Sequence, residues 1–200
     1  MKKPFSIFEI YGIALKAFRS MGDMVRGRKS GVLTEKLQER VMLGVTAVND
    51  CPMCSYAHTE MALEAGLSEK EIRSFVEGDF PDIPQEEVRA VLFAQHYADS
   101  RGRPSREAWE ELCSAYGREK AGAILAASRA IMLGNAMGIV FSSVRGRWKE
   151  KKPDPRCSVL YETAVIIFLP LLLLFSLLSA GLLNLLHVPR LRFPKKKPEK

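Results

Sequence analysis

A long uncharged segment near the carboxyl end constrains the fold of this chain more than any other feature. Residues 164–186 read AVIIFLPLLLLFSLLSAGLLNLL, which is 23 residues without a charged side chain. A helix of that length can cross a hydrocarbon layer about 30 Å thick. The segment is apolar on every helical face, and Pro170 within it is tolerated in a membrane helix. We therefore predict a hydrophobic membrane segment over residues 164–188, with a buried helix of the globular part as the alternative.

Basic residues flank this segment symmetrically. Six precede it and six follow it: Arg145, Arg147, Lys149, Lys151, Lys152 and Arg156, then Arg190, Arg192, Lys195, Lys196, Lys197 and Lys200. Equal numbers do not determine an orientation, so a single crossing, which we prefer, and a hairpin bent near Pro170 are both open. The net charge of +7 lies largely in these clusters, which favours lipid headgroups as partners. Because aromatic residues are not interleaved with the basic ones to the extent that a stacking surface needs, we expect no nucleic-acid partner.

The rest of the chain predicts an all-α fold, because helix-capping residues recur and no period-two pattern is sustained. We expect an N-terminal helix (1–29), a helical domain (30–145), a basic linker (146–163) and, after the membrane segment, a basic tail (189–200). The N-terminal residues are not typical of a signal peptide, because Glu9 interrupts the apolar run. We therefore predict a membrane-associated protein whose catalytic domain is cytoplasmic.

Capping residues indicate where the helices begin and end. The predicted N-caps are Thr34, Asn49 or Asp50, Ser68 and Ser105. Pro52 suits a first helical turn, and glycines such as Gly66 and Gly117 suit helix ends. Ser68 and Glu71 have the spacing of a capping box. The longest predicted helix runs from about residue 118 to 144, with Ile124, Ala127, Ile131 and Gly134 or Asn135 on one stripe.

The segment from Glu39 to His58 contains the residues with the strongest chemical signal. Cys51 and Cys54 are separated by two residues, and His58 lies four residues after Cys54 on the same helical face. A cysteine at the start of a helix is stabilised as a thiolate by unpaired backbone N–H groups. His58 is placed to accept the proton of Cys54, and Glu39 on the preceding helix to orient the imidazole. Cys51 is placed to attack a sulfenic acid formed on Cys54.

Other interpretations of these four residues remain open. Glu39, Cys51, Cys54 and His58 could ligate zinc, although structural zinc sites usually draw on two Cys/His pairs and no second CxxC is present. Covalent haem attachment requires CxxCH, and Ser55 occupies the last position. Alternatively, the thiols could serve a non-catalytic redox-sensing or zinc-binding module. We favour redox catalysis with no organic cofactor and no metal, in which an external dithiol protein re-reduces the disulfide.

The arrangement Glu39-x11-Cys51-Pro52-Met53-Cys54-Ser55-Tyr56-Ala57-His58, followed by ALEAGLSEKEI, resembles the AhpD-like alkylhydroperoxidases of the carboxymuconolactone decarboxylase superfamily. The resemblance extends over roughly residues 30–142. It implies an AhpD-like helical bundle that assembles as trimers or hexamers, and a peroxide substrate. It also implies a peroxidatic Cys54, a resolving Cys51 and a Glu39–His58 proton relay. Members of the decarboxylase branch generally lack the cysteine pair, which argues against lactone decarboxylation.

The remaining reactive side chains are expected to be structural. Tyr56 and His96 fit core or surface positions better than catalytic ones, and His187 falls at the edge of the predicted membrane segment. Cys113 and Cys157 have no acid–base partner nearby in sequence. Asn135 on the long helix could cap a helix or bridge subunits.

Overall fold

The computed structural model describes residues 3–77, 83–191 and 193. In these residues the chain forms seven α-helices and one π-helical turn, and contains no strand. In chain order the elements are α1 (Ile7–Lys29), α2 (Glu35–Asn49), α3 (Pro52–Glu64), α4 (Glu69–Glu77), α5 (Val88–Asp99), α6 (Arg106–Arg145), the π-helical turn (Gly146–Glu150) and α7 (Val159–Leu185). The predicted all-α fold is confirmed.

Most helices begin at the residues that the sequence indicates. The hydroxyls of Thr34 and Ser105 accept hydrogen bonds from the backbone of the first turns of α2 and α6. Ser68 likewise accepts from the backbone N–H of Glu71, at 3.1 Å. The predicted capping box is nevertheless incomplete, because the Glu71 carboxylate forms a buried ion pair with Arg40 at 2.5 Å. An unpaired buried guanidinium costs more free energy than is gained when the Glu71 carboxylate accepts a hydrogen bond from the backbone N–H of Ser68.

The two helices predicted on either side of Gly117 meet end to end in α6. Gly117 has φ 74° and ψ 163°, so the helical path breaks there although both halves continue the same element. The second half lies at the centre of the core, where the predicted stripe that includes Ile124, Ala127 and Ile131 is buried. α1, α2, α3 and α5 all pack against α6. This central helix therefore positions the residues of the other elements.

α7 lies along the side of the bundle and runs parallel to α1. The Tyr161 hydroxyl donates to the carbonyl of Phe5 at 2.6 Å, near the start of both helices. Near their ends, Arg19 Nε donates to Asn184 Oδ1 at 3.3 Å. One stripe of α7 is buried by this packing, formed by Glu162, Val165, Leu169, Ser176 and Ala180. The helix continues without interruption through Pro170, so the alternative of a hairpin bent at this proline is wrong.

Two helices of the described residues are long and apolar enough to cross a membrane by length and composition. The first, residues Arg106–Lys149, is 78% buried within its most apolar window and is the core helix of the bundle. The second is α7, of which only 22% is buried in the corresponding window. The exposed surface of α7 consists mainly of leucine, isoleucine and phenylalanine side chains. α7 therefore has a large apolar face that the described part of the chain does not cover.

The segment between α6 and α7 is held against the bundle. Residues 146–163, predicted as a linker, include the π-helical turn and the first residues of α7. Arg147 pairs with the buried Glu162 at 2.8 Å. The predicted basic tail, residues 189–200, lies outside the described residues at 192 and from 194 onward.

Candidate active site

The connection between α2 and α3 places a cysteine at the start of a helix. Asp50 ends α2 in the left-handed conformation, with φ 52°, and Cys51 is the N-cap of α3, with Pro52 as the first helical residue. The expected N-cap at Asn49 or Asp50 is therefore wrong by one or two positions. Asn49 is 4% exposed and turns its side chain into the core, so it cannot serve α3.

The two thiols of the CxxC pair lie together beneath the surface. No disulfide joins the two sulfurs, and Cys51 and Cys54 are 1% and 8% exposed. The Cys51 sulfur accepts a hydrogen bond from the backbone N–H of Cys54 at 3.3 Å, as an N-cap side chain does. This bond holds the Cys51 side chain folded back over the first turn of α3, facing Cys54.

A glycine of α6 forms the wall against which both sulfurs pack. A β-carbon placed on Gly138 would lie 2.6 Å from Cys54 Sγ and 2.7 Å from Cys51 Sγ. Ordinary carbon contacts are about 3.5–4.0 Å, so no other residue fits here without moving the sulfurs. Gly138 is therefore a steric requirement of the cysteine pair.

Electrostatics distinguish the two thiols. The pKa of Cys54 is lowered to about 7, mainly by a hydrogen bond from the Cys51 thiol, with the Asn135 side chain and the nearby His58 adding to the effect against burial. The pKa of Cys51 is raised, first by its hydrogen bond to Cys54 and then by burial. The hydrogen bond that Cys51 Sγ accepts from the backbone N–H of Cys54 opposes this rise but is outweighed. The pair thus favours one thiolate, on Cys54, with the proton retained on Cys51.

A carboxylate–histidine pair connects α2 and α3 beside the cysteines. His58 Nδ1 lies 2.7 Å from Glu39 Oε2, and the two side chains are 13% and 4% exposed. Gln38 Nε2 also donates to Glu39 Oε1, at 3.4 Å. A carboxylate can only accept, so Nδ1 carries the proton and Nε2 is left to accept one. The structure thus brings together two pairs of predicted site residues, Cys51 with Cys54 and Glu39 with His58. The catalytic roles of these residues remain predictions.

Asn135 belongs to a buried polar network that the sequence did not indicate. It is fully buried, its Nδ2 donates to Thr46 Oγ1 at 3.1 Å, and its Oδ1 accepts from Asn49 Nδ2 at 2.9 Å. The same side chain helps to lower the pKa of Cys54. Asn135 therefore fixes the end of α2 against α6 and stabilises the Cys54 thiolate. The only signal in the sequence is that Asn135 and Gly138 lie three apart on one face of the central helix.

Arg156 is a second residue near the pair that sequence reasoning did not single out. Its guanidinium donates to the carbonyls of Asn49 and Asp50, at 2.9 and 2.6 Å, and pairs with Asp154 at 2.6 Å. These are the last carbonyls of α2, which have no helical partner. An open cavity of about 460 Å³ lies beside this contact and the first turn of α3, where it is bordered by Met53 and Tyr56.

The remaining reactive side chains of the described residues have structural surroundings. His96 Nε2 accepts a hydrogen bond from the backbone N–H of Ser105 at 3.1 Å, which fixes the start of α6. His187 has φ 52° and follows the end of α7. Cys157 is buried, and burial raises its pKa, as it also does at the partly exposed Cys113. Among the described residues, no group of three or more His, Cys, Asp or Glu side chains is arranged to hold a metal ion.

Comparison with protein families supports the resemblance stated above. The sequence model described as Carboxymuconolactone decarboxylase family matches residues 14–95, from α1 to α5. This span contains all four predicted site residues: Glu39, Cys51, Cys54 and His58. No curated protein and no solved structure is significantly similar to the chain. Over residues 14–95, the chain is therefore similar to the carboxymuconolactone decarboxylase family, the superfamily of the AhpD-like proteins.

Proposed function

We propose that this protein is a thiol-dependent hydroperoxide reductase whose catalytic residues are Cys54, Cys51, His58 and Glu39. The observation that supports the proposal most directly is the asymmetry of the cysteine pair. Cys54 has its pKa lowered to about 7 while that of Cys51 is raised. A peroxidase needs this arrangement, because one sulfur must attack as a thiolate and the other must be available afterwards.

In the first step, the Cys54 thiolate attacks the terminal oxygen of a hydroperoxide, ROOH. A sulfur–oxygen bond forms and the O–O bond breaks, which leaves a sulfenic acid on Cys54 and releases an alkoxide that takes a proton to become ROH. His58 is the residue placed to exchange protons in this step. Its Nδ1–H is held by Glu39 at 2.7 Å, so its Nε2 first accepts the thiol proton and then returns a proton to the leaving group.

In the second step, the sulfur of Cys51 attacks the sulfenic acid of Cys54. A disulfide bond forms, the sulfur–oxygen bond breaks, and water leaves with the proton of Cys51. An external dithiol then supplies two electrons and two protons by thiol–disulfide exchange and restores both thiols. The balance is one hydroperoxide and one dithiol consumed, and one alcohol, one water and one external disulfide produced. No organic cofactor enters this cycle.

The test uses full-length protein in detergent, with tert-butyl hydroperoxide as oxidant and dithiothreitol as dithiol. We expect repeated peroxide consumption by the wild type, none by Cys54→Ser, and a single oxidation by Cys51→Ser that leaves a sulfenic acid reactive towards dimedone. Cys113→Ser is the matched control, because that cysteine is remote in sequence and has a raised pKa. Dimedone label on Cys51 of the Cys54→Ser variant, with none on Cys54 of the Cys51→Ser variant, would reverse the two roles.

A non-catalytic redox sensor is the main alternative, and the same assay separates it from an enzyme. The burial of both thiols, at 1% and 8% exposure, is compatible with a slowly oxidised sensor. A sensor consumes one peroxide per molecule before the dithiol reduces it again. The rate at which its Cys54 is oxidised does not depend on His58. If His58→Gln retains the wild-type rate of Cys54 oxidation while consumption stops at one equivalent, the sensor is supported and the reductase is not.

We further propose that the protein is a homo-oligomer, as a trimer or hexamer, with α3 near the contact between subunits. Of the 13 residues of α3, only Cys54 and Ala62 are buried. Tyr56 is 74% exposed and Met61 44% exposed. An apolar helix surface beside a catalytic pair is better shielded by a second copy of the chain than by water. Tyr56→Glu is expected to lower the oligomer mass measured by light scattering; an unchanged mass would place the interface elsewhere.

Finally, we propose that α7 attaches the domain to a membrane with the cysteine pair on the cytoplasmic side. The apolar side chains that α7 leaves uncovered support this, since an exposed patch of that size is rare on soluble proteins. The protein is expected to sediment with membranes and to resist carbonate extraction. A tag after Lys200, in sealed vesicles that expose the domain, is protected from protease if α7 leaves α1 and crosses. The tag is cleaved if α7 stays on α1 and lies in the interface. Protein that remains in the supernatant without detergent would exclude both.

A further inference from the structure

One cavity among the described residues has a lining that does not include the cysteine pair and that differs from it in chemistry. It has a volume of about 760 Å³ and is bordered by α1, the start and the middle of α6, and the residues after α7. None of the four predicted catalytic residues lines it. Six basic side chains do: Lys16, Arg19, Arg103, Arg106, Arg129 and Arg190. The only carboxylate among its lining residues is that of Glu107.

Arg129 is a buried cation that has no carboxylate partner among the described residues. It is 2% exposed, and two of its nitrogens donate to Ser20 Oγ at 2.5 Å and to the carbonyl of Arg190 at 2.8 Å. Its Nε is buried and has no hydrogen-bond partner in the part of the chain that the structure describes. These contacts satisfy some of the donors but supply no negative charge. A buried guanidinium in a folded protein normally faces one.

Arg40 shows how the same chain treats a buried arginine whose role is structural. It is 6% exposed, and it pairs with Glu71 at 2.5 Å and with Glu87 at 2.6 Å. Two carboxylates therefore compensate this one buried guanidinium. No carboxylate of the described residues pairs with Arg129 in this way. A counter-charge for Arg129 therefore has to come from outside the described residues.

The pKa of Lys16 reflects the concentration of positive charge around the cavity. Its ammonium donates to the carbonyl of Gly102 at 2.8 Å, at the mouth of the cavity. Its pKa is lowered to about 8, first by burial and then by the charges of Arg129 and Arg103. Cations that repel one another around a cavity are a ready-made site for an anion, because a bound anion relieves the repulsion.

Part of the remaining wall of the cavity is apolar. Leu15 of α1, Leu183 of α7, and Val188 and Leu191 beyond α7 all border it. A small inorganic anion would leave this wall in contact with water. A ligand that carries an apolar chain would cover it, at a gain proportional to the area removed from water.

We propose that this cavity binds an anionic amphiphile, with a phosphate or carboxylate group held by Arg129 and Lys16 and an alkyl chain lying against Leu15, Leu183 and Leu191. The site is open to the end of α7, the helix with the exposed apolar face. Ligands of this class include the headgroup and first methylenes of a lipid phosphomonoester. The proposal is independent of the thiol chemistry, because the two sites share no lining residue.

The test measures binding to full-length protein in a non-ionic detergent by calorimetry and by the shift of the unfolding midpoint. The probes are octyl phosphate, inorganic phosphate, and octylphosphocholine, which has the same chain but no net charge. We expect octyl phosphate to bind at least about tenfold more tightly than inorganic phosphate, since two buried methylenes suffice for that factor. Octylphosphocholine should bind at least about tenfold more weakly than octyl phosphate, because it lacks the net charge that the guanidinium requires.

Two variants of the proposed site and one control variant separate an effect on binding from an effect on folding. Arg129→Met is expected to remove octyl phosphate binding without lowering the unfolding midpoint of the unliganded protein, because it removes an uncompensated buried charge. The matched control Arg40→Met should lower that midpoint, because it leaves Glu71 and Glu87 unpaired. Lys16→Met, at a partly exposed position, should weaken octyl phosphate binding by about tenfold.

Three results would overturn the proposal. Wild-type protein that binds none of the probes has no anion site. Equal affinity for octyl phosphate and inorganic phosphate would show that the apolar wall does not contact the ligand and that the site serves free phosphate. Equal affinity of the wild type, Arg129→Met and Lys16→Met for octyl phosphate would show that binding occurs elsewhere, for example on the exposed face of α7.

Discussion

Replacement of Gly138 by alanine tests the geometry of the cysteine pair with the smallest possible change. The added β-carbon would lie 2.6 Å from Cys54 Sγ and 2.7 Å from Cys51 Sγ. Contacts of about 3.5–4.0 Å are normal, so each sulfur must be displaced by roughly 1 Å. Overpacking of this kind costs about 1–3 kcal/mol, while alanine in place of glycine stabilises a helix interior by about 1 kcal/mol.

Two other glycines of α6 supply matched controls. A β-carbon on Gly134 would meet only Ile131 Cδ1 at 3.5 Å, and one on Gly122 would meet nothing within 4 Å. Gly134→Ala and Gly122→Ala should therefore gain the helix-propensity term of about 1 kcal/mol without the clash. Relative to these controls, Gly138→Ala is expected to be about 1–3 kcal/mol less stable, or about 2–12 °C lower in unfolding midpoint.

The effect on chemistry should exceed the effect on stability. A displacement of about 1 Å in a reacting group can reduce a rate by about 10²-fold. We expect peroxide-driven oxidation of Cys54, followed by rapid quenching and mass spectrometry, to slow by that order in Gly138→Ala and to be unchanged in Gly134→Ala. If Gly138→Ala matches Gly134→Ala in both midpoint and rate, the two sulfurs do not pack against Gly138 and the described geometry is refuted.

Three further predictions concern charge and attachment. Because the pKa of Cys54 is lowered to about 7, its oxidation rate should be half-maximal near pH 7 and fall about tenfold per unit below it; a midpoint near 9 would contradict the stabilised thiolate. Asn135→Asp places a carboxylate beside Cys54 and should move that midpoint to higher pH, and an unmoved midpoint would mean that Asn135 does not contact the sulfur. Truncation after residue 150 removes α7 from α1 and Arg156 from the end of α2, so the unfolding midpoint should fall; an unchanged midpoint would show that α7 does not pack on the domain.

Local chemistry made the helices and the identity of the site predictable. Capping residues act on the backbone of their own helix, so Thr34 and Ser105 reveal the starts of α2 and α6 without any knowledge of tertiary contacts. The same is true of the spacing from Cys51 to His58, which one helix places on a common side. The pattern of Glu39 with this segment was specific enough to indicate the family, which the match over residues 14–95 supports.

Long-range packing decided what the sequence left open. Whether Glu71 completes a capping box depends on Arg40, 31 residues away, and the buried ion pair prevails because an unpaired buried charge is the costlier defect. The N-cap of α3 moved to Cys51 because Asn49 is drawn into a bond with Asn135, 86 residues further along. Contacts of the same long-range kind place Gly138 against both sulfurs and pack α7 alongside α1. They also leave Arg129 without a carboxylate among the described residues. Propensity and spacing describe one element at a time, whereas the neighbours of a side chain exist only once the elements have packed.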